Sequence, residues 1–409
     1  MSQAHPEIEL LSPAGGFEQL KAALRFGADA VYLAGPRWGM RARATNFTDE
    51  QLSRAVACAH ARGVSVHVTL NTLMYDTDID EICGYLEFLD SVGVDALIVC
   101  DLGTIELARI HAPHIDIHIS TQASVTNAAT ALAYARMGAR RIVLAREMTL
   151  EQIGELHRRV GDEVELEAFC HGALCMAVSG RCLLSSALVG PDRSANCGGC
   201  TQPCRWKWTL VEETRPDQPM PIEASDGASF ILSANDLCML EHIDELAEAG
   251  VSSLKIEGRN KGAYYVACVT NAYRHVLDGE DASVWMAEVE ATSHRPFSEG
   301  FFFGKPTQNP GHAEYARDRL LVAVVESCQK VGDAWEWEVT CRNRALRGSV
   351  LTVLSPKVPV RQMTLGQIFK FIEDEDGPRF EEVEGLSTNM CRYRMAAPFK
   401  AGQGDMVCL

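Results

Sequence analysis

The chain has no long hydrophobic run. Although 47% of its 409 residues are hydrophobic, no apolar stretch approaches the roughly 18 residues that a membrane-spanning helix needs. The amino terminus, MSQAHPEIEL, lacks both the basic and the apolar region of a signal peptide. We therefore expect a cytoplasmic protein that does not enter a membrane.

Basic residues are also scarce, because 38 Lys and Arg face 55 Asp and Glu, for a net charge of −17. This balance argues against a broad nucleic-acid surface but leaves room for a local basic patch. The protease motifs H-E-x-x-H and G-x-S-x-G are missing as well, which excludes a zincin helix and a nucleophile elbow. A Cys–His pair formed by Cys175 and His171 would be the remaining protease arrangement.

A unit of helix, glycine and short apolar run repeats along the first 260 residues. The glycine suits a helix carboxyl terminus, and the apolar run suits a strand buried on both faces, as in a parallel sheet. Amphipathic stretches lie between the runs. Eight strands alternating with helices predict a (β/α)8 TIM-like barrel, with a doubly wound sheet as the alternative. The eight segments are 8–15, 26–35, 65–71, 92–101, 116–122, 137–146, 164–172 and 249–258.

Polar residues recur where these strands end, and in a barrel those ends line the active site. Arginines there would bind carboxylates in a bidentate manner, although each could equally form an internal salt bridge. His171 and Glu257 are the candidates for proton transfer. The candidates for substrate binding are Asn71, Gln122, Arg146, Arg181 and Arg259.

The barrel prediction contains one large interruption, of about eighty residues between strands seven and eight. We predict a barrel domain at 1–290, with an insertion at about 173–232, and a linker at 291–317. Short alternating strands after residue 318 predict a small all-β barrel at 318–409.

Six of the fifteen cysteines fall within 35 residues, and the five after Cys170 lie at the start of the insertion. Cys175 and Cys182 have six residues between them, Cys182 and Cys200 have seventeen, and Cys200 and Cys204 have three. In a reducing compartment such clusters are typical of metal ligands rather than disulfides. The open spacing favours an iron–sulfur cluster, while zinc or buried unpaired thiols remain alternatives.

The stretch ELEAFCHGALCMAVSGRCLLSS closely resembles the signature of the collagenase-like peptidase family U32, E-x-F-x-x-G-[SA]-x-C-x4-G-x-C-x-x-S. The matching positions are Glu167, Phe169, Gly172, Ala173, Cys175, Gly180, Cys182 and Ser185. The stretches CTQPCRW and LKIEGRNKGAYYVA are also similar to the family. SHRPFSEGFFFGKP, residues 293–306, resembles the branch that hydroxylates the wobble uridine of tRNA.

This resemblance implies an oxygen-independent hydroxylase of RNA, with prephenate as co-substrate and tRNA as the macromolecular partner. It also implies a [4Fe–4S] cluster on Cys175, Cys182, Cys200 and Cys204, and an electron-donor protein would serve a redox role of that cluster. The chain departs from the family in its longer middle gap and in Cys197, which stands where an arginine is more usual. A peptidase, or a hydroxylase of rRNA or of a ubiquinone precursor, is the alternative.

A short basic and aromatic run lies directly after the last of these cysteines. Arg205, Trp206, Lys207 and Trp208 alternate charge with aromatic rings. This pattern suits phosphate contact and base stacking, and it equally suits a strand with one buried face.

Overall fold

The computed structural model describes residues 3–40, 45–174, 182, 184–195, 198–206, 209–210, 213–214, 220–221, 235–304, 319–356, 358–374 and 377–409. Several residues singled out above lie outside these ranges. They are Cys175, Gly180, Arg181, Cys197, Lys207 and Trp208.

Eight parallel strands form a closed barrel, as the sequence predicts. They are hydrogen-bonded in chain order, and the eighth strand pairs with both the first and the seventh. Each run is short and almost completely buried, which is the reason for its continuous apolar character. The strands are β1 (Glu9–Pro13), β2 (Ala30–Leu33), β3 (Ser65–Leu70), β4 (Ala96–Val99), β5 (Asp116–Ile119), β6 (Ala139–Val143), β7 (Glu165–Ala173) and β8 (Ser253–Ile256).

Helices connect the strands, and several begin at a polar capping side chain. Thr48 and Thr149 each accept a hydrogen bond from the backbone N–H three residues later, and Asp101 does the same. Such caps satisfy donors that have no partner inside the helix. The helices are α1 (Phe17–Arg25), α2 (Asp49–His60), α3 (Asp76–Ser91), α4 (Leu102–His111), α5 (Ala128–Arg136), α6 (Leu150–Val160), α7 (Leu184–Val189), α8 (Ile243–Glu248), α9 (Ala263–Leu277) and α10 (Ala282–Glu290). Among the described residues, none of the helices combines the length and hydropathy that crossing a membrane requires.

The insertion leaves from the carboxyl end of β7 and contains α7, a short 3-10 helix at Pro203–Arg205, and a two-stranded pair of Thr209–Leu210 with Met220–Pro221. Asp236–Cys238 is a strand antiparallel to the end of β7. The extended backbone is held there because the buried Asp236 carboxylate accepts hydrogen bonds from the Arg295 guanidinium, the shorter at 2.6 Å.

The carboxyl-terminal region is all β, as predicted, with an eight-stranded antiparallel sheet around a core of its own that includes Trp337 and Tyr393. The strands are β9 (Leu321–Val331), β10 (Ala334–Cys341), β11 (Val350–Ser355), β12 (Val358–Thr364), β13 (Ile368–Asp374), β14 (Gly377–Val383), β15 (Arg392–Ala397) and β16 (Met406–Cys408). Their order across the sheet is β12, β11, β16, β9, β10, β15, β13 and β14. An ion pair of 2.7 Å joins Arg342 to Glu18 of α1. The predicted domain limits at 290 and 318 stay predictions.

Candidate active site at the carboxyl ends of the barrel strands

A cleft with about 460 Å³ of empty space, part of it open to solvent, lies at the carboxyl ends of the barrel strands. The predicted residues that the structure brings together in its wall are Asn71, Gln122, Arg146, Glu257 and Arg259. They come from four different strand ends, so the barrel itself gathers residues that are far apart in sequence.

Arg259 is nearly inaccessible to bulk solvent, with 3% of its surface exposed. Its guanidinium donates to the Thr69 hydroxyl oxygen at 2.7 Å and to the Asn46 amide oxygen at 3.1 Å. Both of these acceptors are neutral, and they fix the orientation of the guanidinium. Gly15 allows this backbone to approach, because a β-carbon there would lie 2.0 Å from the Arg259 carbonyl oxygen.

Arg146 lies at another part of the cleft wall, over the ring of Phe169 at 3.7 Å from the ring centroid. It donates to the Ala173 carbonyl oxygen at 3.0 Å and to the Glu257 carboxylate at 3.4 Å. The aromatic face and the long ion pair hold the guanidinium in place. Arg146 and Glu257 therefore form one unit, in which the carboxylate orients the cation.

Two amide side chains complete the polar wall. The Asn71 oxygen accepts a hydrogen bond from the Met40 backbone N–H at 3.1 Å, and its nitrogen donates to the Ser120 hydroxyl at 3.2 Å. The same hydroxyl accepts from the Gln122 backbone N–H at 3.2 Å. Asn71 is thus held by groups on both sides, while Gln122 is positioned through its backbone.

Lys255 lines the cleft too, and the sequence reasoning missed it. It lies inside the apolar run of β8, where its ammonium donates to the Glu167 carboxylate at 2.6 Å and sits 4.6 Å from the centroid of the Tyr32 ring. The alternation of side chains along a strand would have predicted this position, because Lys255 is two residues before Glu257 and therefore points to the same side of the strand.

His171 is not part of the cleft wall that the described residues form. The pairing of β7 with β8 joins Phe169 to Lys255 and His171 to Ile256, so Cys170 is an extra residue and the register shifts. This bulge turns His171 to the outer face of the strand. There it is buried near the rings of Tyr265, Tyr273 and Phe297, at centroid distances of 5.3–6.0 Å.

Burial lowers the pKa of His171 to about 3, which keeps the imidazole neutral. Its Nδ1 lies 3.4 Å from the Tyr273 hydroxyl oxygen. To transfer a proton at the cleft, His171 would therefore have to act through the residues that form the cleft wall. That role of His171 stays a prediction.

Three of the four predicted cluster ligands, Cys182, Cys200 and Cys204, are described, and all three are partly buried thiols rather than disulfides. The segments that carry them are tied together, because the Thr201 backbone N–H donates to the Ser185 hydroxyl at 3.0 Å. The Gln202 backbone N–H donates to the Cys200 sulfur at 3.3 Å. Backbone donation to a sulfur is a feature that stabilises thiolate ligands of iron–sulfur clusters. This contact makes Cys200 suitable as a thiolate ligand, while the cluster itself stays a prediction because Cys175 lies outside the described residues.

The family model for peptidase family U32 matches residues 15–311. The chain belongs to this family. The resemblance that the signature around Gly172 indicates is confirmed. The cleft and the three described candidate ligands, Cys182, Cys200 and Cys204, lie within the matched part.

Relatives of this U32 chain carry names of different activities. An uncharacterized protease of Methanocaldococcus jannaschii is 43% identical over 80% of this chain and 82% of its own. The tRNA hydroxylation protein P1 of Bacillus subtilis is 38% identical over 73% of this chain and 71% of its own. The 23S rRNA 5-hydroxycytidine C2501 synthase of Escherichia coli is 35% identical over 80% of this chain and 52% of its own.

Proposed function

We propose that this protein hydroxylates RNA, and that its substrate is the wobble uridine of tRNA, which it converts to 5-hydroxyuridine with prephenate as co-substrate. The observation that carries the proposal is the cleft. Its wall presents the cations of Arg146, Arg259 and Lys255 to the same small space. The names of two relatives, which refer to tRNA and rRNA hydroxylation, supply the reaction class.

A small dicarboxylate suits this space better than a polymer does. The guanidinium of Arg259 lines the cleft and is oriented by Thr69 and Asn46, and a guanidinium fixed in this way can bind a carboxylate. Arg146 offers a second cation and Glu257 orients it. The amides of Asn71 and Gln122 are suited to hydrogen-bond the hydroxyl or carbonyl groups of the same molecule.

In this proposal Glu257 is the group that exchanges a proton with the bound co-substrate, because its carboxylate belongs to the cleft wall. The thiols of Cys182, Cys200 and Cys204, together with Cys175, would hold a [4Fe–4S] cluster. When bound, such a cluster supplies single-electron transfer or polarises an oxygen ligand. A protein electron donor would serve the first of these roles.

The tRNA is proposed to approach the same end of the barrel, where the insertion lies. Trp206, which follows the last of the cysteines, has 43% of its surface exposed. An exposed indole ring can stack on an unpaired base. Loop nucleotides such as a wobble base are unpaired, which suits this mode of contact.

The test is nucleoside mass spectrometry of tRNA from a bacterial host without its own tRNA hydroxylation genes, after expression of the wild-type protein or of Arg259→Gln. We expect 5-hydroxyuridine with the wild type and at least a tenfold loss with the variant. Arg158→Gln is the matched control, because Arg158 is exposed on α6 and remote from the cleft wall. The appearance of 5-hydroxycytidine in rRNA instead would assign the rRNA substrate.

The cofactor is tested separately by anaerobic purification and analysis of iron and sulfide. We expect a visible thiolate-to-iron absorption band that is lost in Cys200→Ser. A colourless protein without iron, together with hydrolysis of a peptide library that Cys175→Ala abolishes, would replace this proposal with the peptidase function.

A further inference from the structure

The interior of the barrel is polar directly beneath the cleft. His67 on β3, His118 on β5 and Glu167 on β7 are all buried, and we call them the interior triad. Each precedes by two residues a side chain that lines the cleft, namely Thr69, Ser120 and Phe169. Because strand side chains alternate between faces, the triad forms the next layer inward from the cleft floor. Such layers normally consist of bulky branched aliphatic residues.

The three side chains converge on one point near the barrel axis. One ligand atom from each of them lies within 4.8 Å of the other two. The two imidazole rings are in edge-to-face contact, with 4.8 Å between their centroids. Two imidazoles and one carboxylate are the ligand set that proteins use for zinc and for non-haem iron.

The protonation state of the interior triad suits ligation. Burial lowers the pKa of both His67 and His118, so both imidazoles are neutral and carry a lone pair. In the described part of the chain the buried Nδ1 atoms of these two histidines have no hydrogen-bond partner. Buried polar atoms without a partner are rare in folded proteins, and they often mark a place where an ion or a water molecule binds.

Glu167 is ionised in this environment. Burial alone would raise the pKa of its carboxyl group, but the charges of Lys255 and Arg141 outweigh that effect and hold the pKa below its usual range. Lys255 contacts one carboxylate oxygen at 2.6 Å, whereas Arg141 is 3.4 Å from the other. The second oxygen therefore retains capacity for another ligand. Hydrogen bonds to a ligating carboxylate from such neighbours are usual in metal sites.

The net charge of the groups around the triad is compatible with a bound cation. A partly buried network joins three carboxylates, those of Glu9, Glu165 and Glu167, to the two cations of Arg141 and Lys255. Arg140, at its exposed edge, pairs with both Glu165 and Asp116, so Arg140 and Asp116 add one charge of each sign. One negative charge is thus in excess, and a divalent ion would reverse this imbalance without making it large. The proximity of Lys255 and Arg141 limits the affinity.

We propose that His67, His118 and Glu167 form a site for one divalent transition-metal ion of the Zn²⁺, Co²⁺ and Fe²⁺ class, beneath the floor of the cleft. With metal–ligand bonds of about 2.0–2.1 Å, a tetrahedral ion needs ligand atoms about 3.4 Å apart. Small rotations of the three side chains provide this contraction. The fourth position faces the cleft, which is the entry route for the ion and a place for a water molecule or a substrate oxygen.

The experiment uses Co²⁺ as the probe and the full-length protein after treatment with a chelator. The four predicted cluster ligands are removed by Cys175→Ser, Cys182→Ser, Cys200→Ser and Cys204→Ser. We expect one equivalent of Co²⁺ with visible d–d bands but without the near-ultraviolet charge-transfer band of thiolate ligands, and we expect Zn²⁺ to displace it. In the same background, His67→Gln and His118→Gln should each weaken binding at least tenfold.

His275→Gln is the matched control, since His275 is also a buried histidine but stacks on Trp285 outside the barrel interior. It should bind Co²⁺ like its parent. Should the cysteine substitutions or the histidine variants not fold, zinc-edge X-ray absorption of the Zn²⁺-loaded wild-type protein decides, and we expect a nitrogen and oxygen shell beside any sulfur shell. The inference is overturned by Co²⁺ binding that persists unchanged in His67→Gln, or by a wild-type zinc shell of sulfur alone.

Discussion

Replacing Lys255 by methionine should destabilise the barrel strongly, because it leaves the carboxylate of Glu167 buried without its closest cation. The two side chains are 5% and 0% exposed and are joined by a contact of 2.6 Å. Breaking such a buried pair typically costs about 3–5 kcal/mol. Arg141 remains 3.4 Å from the other carboxylate oxygen, so we expect a value near the lower end, about 3 kcal/mol.

A double-mutant cycle separates the ion pair from the loss of packing. Lys255→Met with Glu167→Gln removes both charges, and the free energy of unfolding should fall by at least about 2 kcal/mol less than the sum of the single effects. The exposed pair of Glu155 and Arg158 on α6 is the control, and Arg158→Ala should cost about 0.5 kcal/mol or less. Urea denaturation in the presence of a chelator, followed by far-ultraviolet circular dichroism, measures all of these proteins.

Two results would refute the reasoning about this pair. One is a loss for Lys255→Met no larger than that for Arg158→Ala. The other is additivity of the two single substitutions within about 0.5 kcal/mol, which would show that Lys255 and Glu167 do not interact in the folded protein.

Three further predictions concern the cleft and the buried histidines. Gly172→Ala should destabilise the protein more than Gly190→Ala in thermal unfolding. Both glycines have left-handed φ angles, but only at Gly172 would the new carbon meet a backbone atom, the Glu257 carbonyl oxygen, at 2.4 Å; equal shifts would contradict this. Arg259→Gln should raise the KM for prephenate by a factor at least ten times larger than the factor for Arg158→Gln. An unchanged KM would show that Arg259 does not bind prephenate. The free energy of unfolding should fall as the pH drops below about 6.5, by up to about 1.4 kcal/mol per pH unit for each neutral buried histidine. His171→Gln should reduce that slope. A free energy of unfolding that does not change with pH would contradict the lowered pKa values of His67, His118 and His171.

The sign of the pH effect follows from the direction of these shifts. Burial holds the folded-state pKa of each histidine below its unfolded value of about 6.5. The unfolded chain therefore binds more protons than the folded one between these two values. The stabilisation is complete above about pH 6.5 and is lost progressively toward the folded pKa, which for His171 is about 3.

The barrel and the rim of its cleft were accessible from sequence because both depend on local patterns. Each strand is a short apolar run after a helix and a glycine, and each rim residue follows closely where such a run ends. This rule identified Asn71, Gln122, Arg146, Glu257 and Arg259, and the structure brings all five to one cleft. Closure of the barrel then places residues from different strands side by side without any further information.

His171 is an exception to the rule that residues at strand ends line the cleft. Its sequence position at the end of β7 resembles that of the rim residues, but the extra residue at Cys170 reverses its side of the strand. A bulge depends on the pairing of β7 with β8 and on the antiparallel strand Asp236–Cys238 beyond it. Neither partner is close to Cys170 in sequence, so local alternation could not reveal the shift.

The polar barrel interior was missed for a different reason, since its residues lie within runs that were identified by their apolar neighbours. Yet the alternation of side chains along each strand also predicts which residues face the barrel interior below the rim. Counting back two residues from Ser120 leads to His118, beneath the cleft, and counting back two from Glu257 leads to Lys255, in the cleft wall. Charged and imidazole side chains at such positions are costly to bury, so counting back from the strand ends in steps of two residues identifies a polar layer that hydropathy alone does not reveal, and such a layer is a candidate for a functional role.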